Sequence, residues 1–424
     1  MSVTSPRVIA RQAQRGAATL VVVMVMFLIL ALMSAYASRN LVFEQRIASN
    51  YVRSSLATEL ADAGIEWTLA QLNGRNIDAS CSANDSAGSS FRSRYLNQDP
   101  NTRAVVPFSF TNSKMAASCV RSSASSWSCQ CPEPDRWADS PPSSQPSFGV
   151  QFQALTRPGV FRLVSTGCTA SSVTACTSFT PVGDPLIGGT TVRAEVALLS
   201  ALKTPPSAPL VLAGTLSAND LGLHNSDPRS GGTLMNSGGD APSFAEDRLD
   251  SLPGTPPQLA LLDKDPVLKA STAPSATPDA LFRLFFGMPR DKYRNQPAML
   301  RLQCNGDCSS QLAGAYTKGA RMVWISGPLI LANPGVLGSA ASPLLIVADG
   351  PVSLSGQMAL TGLLYANDDV SWANASGSIN GTLISAGSVS ITGHVDLWYQ
   401  GAVMDALSNA TGSFVRVPDS WTDG

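Results

Sequence analysis

Eight cysteines, Cys81, Cys119, Cys129, Cys131, Cys168, Cys176, Cys304 and Cys308, are the residues of this 424-residue chain whose type and spacing specify chemistry most directly. An even set in an exported chain reads as disulfides formed in an oxidising compartment. Cys168 with Cys176 and Cys304 with Cys308 can each close a small loop, and Asn305-Gly306-Asp307 supplies turn residues inside the second. Cys129 and Cys131 stand too close to bridge each other comfortably, so they are expected to pair with Cys81 and Cys119. Three connectivities among those four stay open. Zinc is the rival chemistry, but neither a second CxxC nor a histidine cluster accompanies the cysteines, and no metal site is expected.

Catalytic residue sets are sparse. The two histidines are His224 and His394, and Asp396 follows the second. Many serines are available, but none sits in a nucleophile elbow. Asp349, Asp368, Asp369 and Asp396 fall near turns, where carboxylates on a β-helical scaffold could cleave polysaccharide. Acids at turns are far more often plain turn residues. There is no P-loop, G-x-G-x-x-G fingerprint or EF-hand loop. The expectation is therefore no catalysis, no catalytic residue and no cofactor. Charged residues make up 14% of the chain and the formal net charge is −1, without a long basic run. Nucleic acid is excluded as a partner, since it requires clustered Lys and Arg.

The element that must position everything else lies at the N-terminus. The run from Ala17 to Ser38, AATLVVVMVMFLILALMSAYAS, holds no charged residue. As a helix at ~1.5 Å per residue it rises ~33 Å, enough to cross a ~30 Å hydrocarbon core. Arg7, Arg11 and Arg15 precede it, and the first acid is Glu44. That asymmetry predicts a cytoplasmic N-terminus and a periplasmic remainder. The run is too long for an ordinary signal peptide and lacks a small-residue cleavage site of its own. Residues 39–72 continue helical periodicity. Ile47, Tyr51, Leu56, Leu60, Ile65, Leu69 and Leu72 form the apolar face, and Arg46, Arg53, Glu59, Asp62 and Glu66 the wet one. Asn73-Gly74 ends the helix.

The junction Gln14-Arg15-Gly16 followed by Ala17-Ala18-Thr19-Leu20 resembles the class III leader of type IV prepilins. With RNLVFEQRIASN and the A-x-A-G-I-E-W-x-L-A-Q-L pattern further on, residues 11 to 73 are similar to the PilX N-terminal family of pilus assembly proteins. A weaker echo reaches about residue 200. The resemblance implies cleavage by a prepilin peptidase between Gly16 and Ala17, with Arg11 and Arg15 as leader charge, and a methylated new N-terminus. It also implies partners in other minor and major pilins and in the pilus assembly machinery. Major pilins carry Glu as the fifth mature residue, whereas this chain has Val21 there. The missing acid removes a desolvation cost and an alignment device together, which suits a minor rather than a bulk subunit.

Beyond the helix the chain reads as two modules. Residues 75–147 are rich in Ser and Pro, with weak periodicity, and read as cystine-held loops. Alternation at 148–155, 159–165 and 191–198 predicts three antiparallel strands packed on the amphipathic half of the helix. Thr204-Pro205-Pro206 marks a linker. In the C-terminal half, strands at Leu329, Val352, Val370 and Val389 recur at steps of about 20 residues, with an earlier copy around Leu210 and Asn219. A parallel β-solenoid is predicted. A Pro-rich insertion at 226–318 contains one clear helix, capped at Thr277 with Pro278 first and ended by Gly287. Its Leu281, Phe282, Phe285 and Phe286 should cover an open side or end of the solenoid.

The fold expected is α+β: a leader at 1–16, a transmembrane and amphipathic pilin helix at 17–74, disulfide-bearing loops and an antiparallel head at 75–203, and the solenoid at 204–424. The expected function is that of a minor pilin-like subunit in a single-pass inner-membrane setting and then in the pilus, its solenoid at the tip contacting an adhesin or a surface glycan. The alternatives are a type II secretion tip pseudopilin and a membrane-anchored periplasmic carbohydrate-active or carbohydrate-binding protein.

Overall fold

An uninterrupted apolar run without Pro can satisfy its backbone only from within. With the amphipathic stretch that follows, it forms α1, Arg15–Leu72, 58 residues long. The computed structural model describes residues 15–85, 88–108, 116–123, 125–133, 145–169 and 188–423, and the chain divides into two compact units, Met1–Leu56 and Ala57–Gly424. In the first unit the helix carries its large apolar side chains exposed, from Leu20 through Phe27 and Met33 to Val52. Past its first turn, the helix bonds its peptide groups within itself, which is what a lone segment in lipid requires.

In the second unit, Ala57–Leu72 of α1 buries Ala61, Ile65 and Leu72 in a core shared with a β-sheet. After the helix comes α2, Phe91–Tyr95, capped by the Ser90 hydroxyl, which accepts from the Ser93 amide. A two-stranded antiparallel ribbon follows, β1 at Leu96–Gln98 and β2 at Val105–Pro107. The sheet facing α1 is formed by β3, Ala117–Arg121, β4, Trp127–Gln130, β5, Ser147–Ala154, β6, Val160–Cys168, and β7, Gly189–Ser200. Its neighbours are all antiparallel. Alternation sets the packing: Phe161 and Leu163 of β6 and Val192, Ala194 and Val196 of β7 point into the core. Gly64 and Gly167 mark the closest approach of helix and sheet. A Cβ at Gly167 would overlap the Ala57 carbonyl oxygen.

The strands between Leu210 and Trp398 form a parallel sheet, thirteen-stranded among the described residues. Its elements in chain order are β8, Leu210–Leu212, β9, Leu216–His224, β10, Met235–Ser237, β11, Leu249–Asp250, and β12, Leu261–Leu262. After three short helices, α3 Pro266–Ser271, α4 Ala280–Phe286 and α5 Arg290–Tyr293, come β13, Met299–Leu302, then α6, Ser309–Thr317, and β14, Met322–Ile325. The sheet ends with β15, Leu329–Ala332, β16, Gly335–Leu337, β17, Leu344–Ala348, β18, Val352–Ala366, β19, Val370–Ser385, and β20, Val389–Trp398. Equivalent positions stack in register, as Leu329, Val352, Val370 and Val389 do. Gly362 and Gly381 stand opposite each other, at φ +151° and +146°, where a Cβ would meet the neighbouring strand's carbonyl. Only Gly fits such a close backbone approach.

The continuous apolar runs, such as Leu344-Leu345-Ile346-Val347, have a physical cause. Leu344 and Ile346 enter the inner core. Leu345 and Val347 face outward into a second core with Leu281, Phe282, Phe285 and Phe286 of α4 and Val403, Met404 and Leu407 of α7, Gly401–Asn409. Strands buried on both sides lose their alternation. The aromatic helix thus covers a side of the sheet rather than an end.

Three sequence expectations need correction. The first copy at 210–224 does not lead into the copy at 329: β8 pairs with β19 and β9 with β20, so the earliest strands stack on the latest. The stretch 226–318 is not merely an insertion, because β10, β11 and β12 extend the sheet beyond β8 and β9, while β13 forms the opposite edge beyond β14. The module at 204–424 does not keep its own tail. β21, Gly412–Arg416, and β22, Thr422–Asp423, both pair antiparallel with β7, so the antiparallel sheet draws strands from both ends of the second unit. In addition, α4 opens at Ala280 with Asp279, not Thr277, at its N-cap. Asp279 takes φ 60° because its carboxylate is committed to Arg290.

Candidate functional site

The site defined by sequence is the N-terminal segment. Arg7, Arg11 and Gln14 lie outside the described residues, while Arg15, Gly16 and Ala17 open α1. Val21 is 58% exposed and carries no ionisable group. Between Arg15 and Arg39 the helix carries no charged residue. By length and composition Ala18–Leu72 is the one helix among the described residues able to cross a membrane.

The helix is tied into the second unit at its C-terminal end. Asn73 donates through Nδ2 to Leu69 O at 2.9 Å and to Phe414 O at 2.8 Å, and its Oδ1 accepts from Phe414 N at 2.8 Å. Arg416 pairs with Glu66 at 3.1 Å. Strand β21, near the C-terminal end of the chain, therefore clamps the end of the first helix. Sequence reasoning missed this clamp, because nothing local links residues so far apart.

The cysteines among the described residues are oxidised. Cys81 bonds Cys131, Cys119 bonds Cys129, and Cys304 bonds Cys308. Cys168 is disulfide-bonded too, and Cys176 lies outside the described residues. The Cys119–Cys129 bond joins directly opposed residues of β3 and β4. With these sulfurs covalently committed, they form no thiolate set for zinc.

The residues weighed for catalysis are dispersed into structural roles. Asp349 accepts from Arg290 Nη1 at 2.7 Å. Asp369 Oδ1 accepts from the Ser388 amide at 2.7 Å, and Asp368 Oδ1 from the Asp369 amide at 2.8 Å. His224, His394 and Asp396 do come together, joined by Asp220 and Arg248, which sequence reasoning did not single out for this role. His394 Nδ1 is 2.8 Å from Asp220 Oδ2, and His224 Nε2 is 3.2 Å from Asp396 Oδ1. Arg248 Nη2 is 3.0 Å from Asp396 Oδ1. Arg248 Nε, 2.9 Å from Asp220 Oδ1, lies outside hydrogen-bonding geometry. His224 stacks on Trp398 with centroids 3.7 Å apart. The His394 hydrogen bond, foremost, holds the Asp220 carboxyl below the usual carboxylate range. Both acids lie beside Arg248, and the hydrogen bonds of both imidazoles go to carboxylates rather than to a serine hydroxyl. This arrangement fastens β9, β20 and the segment before β11 together. No group of three His, Cys, Asp or Glu that could hold a metal occurs among the described residues.

Comparison with known proteins agrees with the sequence at the helix. Residues 15–66 match the model of the PilX N-terminal family, so this segment is similar to the N-terminal segment of that family. The competence-associated pilin ComZ from Thermus thermophilus is structurally similar over 88% of this chain and 97% of its own, at 12% identity and a TM-score of 0.21, a score that does not establish a shared fold. Comparison with curated proteins gives no match.

Proposed function

We propose that this chain is a minor pilin-like subunit of a type IV pilus. The observation that carries the reading is the uncharged run of α1 joined directly to Arg15-Gly16 inside the PilX N-terminal match and continued without a break to Leu72. Such a helix is held by lipid before assembly and packs against neighbouring pilin helices afterwards. The N-terminus is cytoplasmic, the bulk periplasmic, and a prepilin peptidase removes residues 1–16. Val21, in the place of a pilin glutamate, leaves no buried ion pair to align successive subunits, which suits occasional rather than repetitive incorporation.

The parallel sheet is read as a β-solenoid, a rigid platform displaying side chains at fixed spacing. Low charge suits contact with another protein or a surface glycan at or near the tip. The committed geometry of Asp220, His394 and Asp396 supports a role without catalysis.

Immunoblotting of sheared pili tests the assembly role. The protein should be present in the filament fraction and lost from it when the other minor pilins are deleted. Retention of all of it in the membrane fraction of piliated cells would contradict the proposal.

A further inference from the structure

A cavity of about 660 Å³ lies where the C-terminal end of α1 and α2 meet the β13–β14 edge of the parallel sheet, within the size range of small-molecule sites. Arg75, Arg92 and Arg321 line it, and among the described residues no Asp or Glu does. Arg92 and Arg321 are half-buried. Their described hydrogen bonds go to backbone carbonyls alone. Arg92 donates to Leu72 O at 3.0 Å and Gly412 O at 2.8 Å, and Arg321 to Tyr316 O and Ala320 O, both at 2.9 Å. None of the three arginines is in an ion pair among the described residues, whereas Arg94, Arg229, Arg248 and Arg290 elsewhere all have carboxylate partners. Burial, reinforced by the charge of Arg321, brings Arg92 down to about 10. Arg92 also lies over the Phe414 ring at 4.8 Å and Arg321 over the Tyr316 ring at 4.4 Å, and an anion would pair with the charge that these contacts leave uncompensated.

The rest of the lining is apolar in part, with Phe108 and Pro297 exposed and Leu300 half-buried. A bare inorganic ion would leave that surface unused. A ligand with an apolar body and one carboxylate would use both parts, since the guanidinium fork matches a carboxylate. We propose that this cavity binds an organic carboxylate, held through Arg92 and Arg321 with its apolar portion against Phe108 and Leu300. The inference is independent of the assembly role. The chemistry is shared by a free organic acid and by the C-terminal carboxylate of a peptide.

Calorimetric titration of the full-length, detergent-solubilised protein tests it, with benzoate, benzamide, inorganic phosphate, and one short peptide carrying either a free or an amidated C-terminus as probes. Benzoate or the free-ended peptide should bind, while benzamide and the amidated peptide should not. Arg321→Gln should weaken binding at least about tenfold, the loss of one charged hydrogen-bonding partner, and Arg321→Lys should restore part of it. Because Arg321 bonds only nearby carbonyls, both variants should keep the parent melting temperature, which excludes misfolding as the cause. Tighter binding of the free-ended peptide assigns a peptide terminus, and tighter binding of benzoate a free acid. Binding by phosphate alone, equal binding of benzamide and benzoate, unchanged binding in Arg321→Gln, or no binding by any probe would each overturn the proposal.

Discussion

His394 Nδ1 lies 2.8 Å from Asp220 Oδ2, although the two residues stand 174 apart in the chain. The contact fastens β20, the last strand of the parallel sheet, to β9, one of the first. Strands laid down early thus wait for the final ones before their inner apolar side chains are covered. Arg248, 19% exposed between Asp220 and Asp396, is the third member of this fastening. Replacing it as Arg248→Met keeps the stem and removes the charge. We expect a loss of about 1 kcal/mol in stability, read by chemical denaturation, and faster amide exchange in β9 and β20 than in β14 and β17.

A second prediction concerns Asp279, which takes Arg290 Nε at 2.6 Å and the Arg290 amide at 3.0 Å. Burial pushes this carboxyl up, but the hydrogen bonds from Arg290 outweigh it and leave it below the ordinary value. A depressed folded-state pKa contributes stability that is fully present above the unfolded value, about 3.9, and is lost as pH falls through the lower folded value. Asp279→Asn retains a residue that tolerates φ 60° while removing the charge. The variant should be less stable than the parent near neutral pH, and the difference should shrink as pH drops below about 4. Thermal melts across that range check it.

Gly167 sets the spacing between α1 and β6. A side chain there must displace the helix backbone at Ala57 and Ala61. Gly167→Ala should cost about 1–3 kcal/mol, as overpacking does, whereas Gly314→Ala, with open space around it, should be neutral or slightly stabilising. Paired denaturation curves distinguish the two.

The disulfides should differ in weight. Cys81–Cys131 closes a separation of 50 residues and Cys304–Cys308 one of 4. On loop-closure entropy, removing the first by paired Cys→Ala replacement should cost about 4 kcal/mol and the second about 2 kcal/mol. Urea denaturation of the two double variants measures the contrast.

The helix was legible because its signal is local. One uncharged run, its basic flank and the continuing period of Ile47, Tyr51, Ile65 and Leu72 are all contiguous in sequence. The repeat was legible through Val352, Val370 and Val389, which recur because each pass needs an inward residue. What could not be read is what depends on closure. No local feature of Leu210 says that it will stand beside Leu383, and none of Phe414 says that it will meet Asn73. The Asp220–Arg248–Asp396 set was hidden for the same reason. Its members belong to three separate passes of the chain, and Arg248 sits in a stretch whose prolines read as loop. The start of α4 was misplaced because Thr277-Pro278 is a sound local cap, overridden by the tertiary pull of Arg290 on Asp279.

The central claim is that α1 enters a pilus after removal of its leader, and the mature N-terminus tests this most directly. Intact-mass analysis of the protein extracted from membranes should show loss of residues 1–16 and a chain beginning at Ala17 with one added methyl group. A mature protein that keeps Met1 to Gly16, or one that begins near Ala37, would contradict the account.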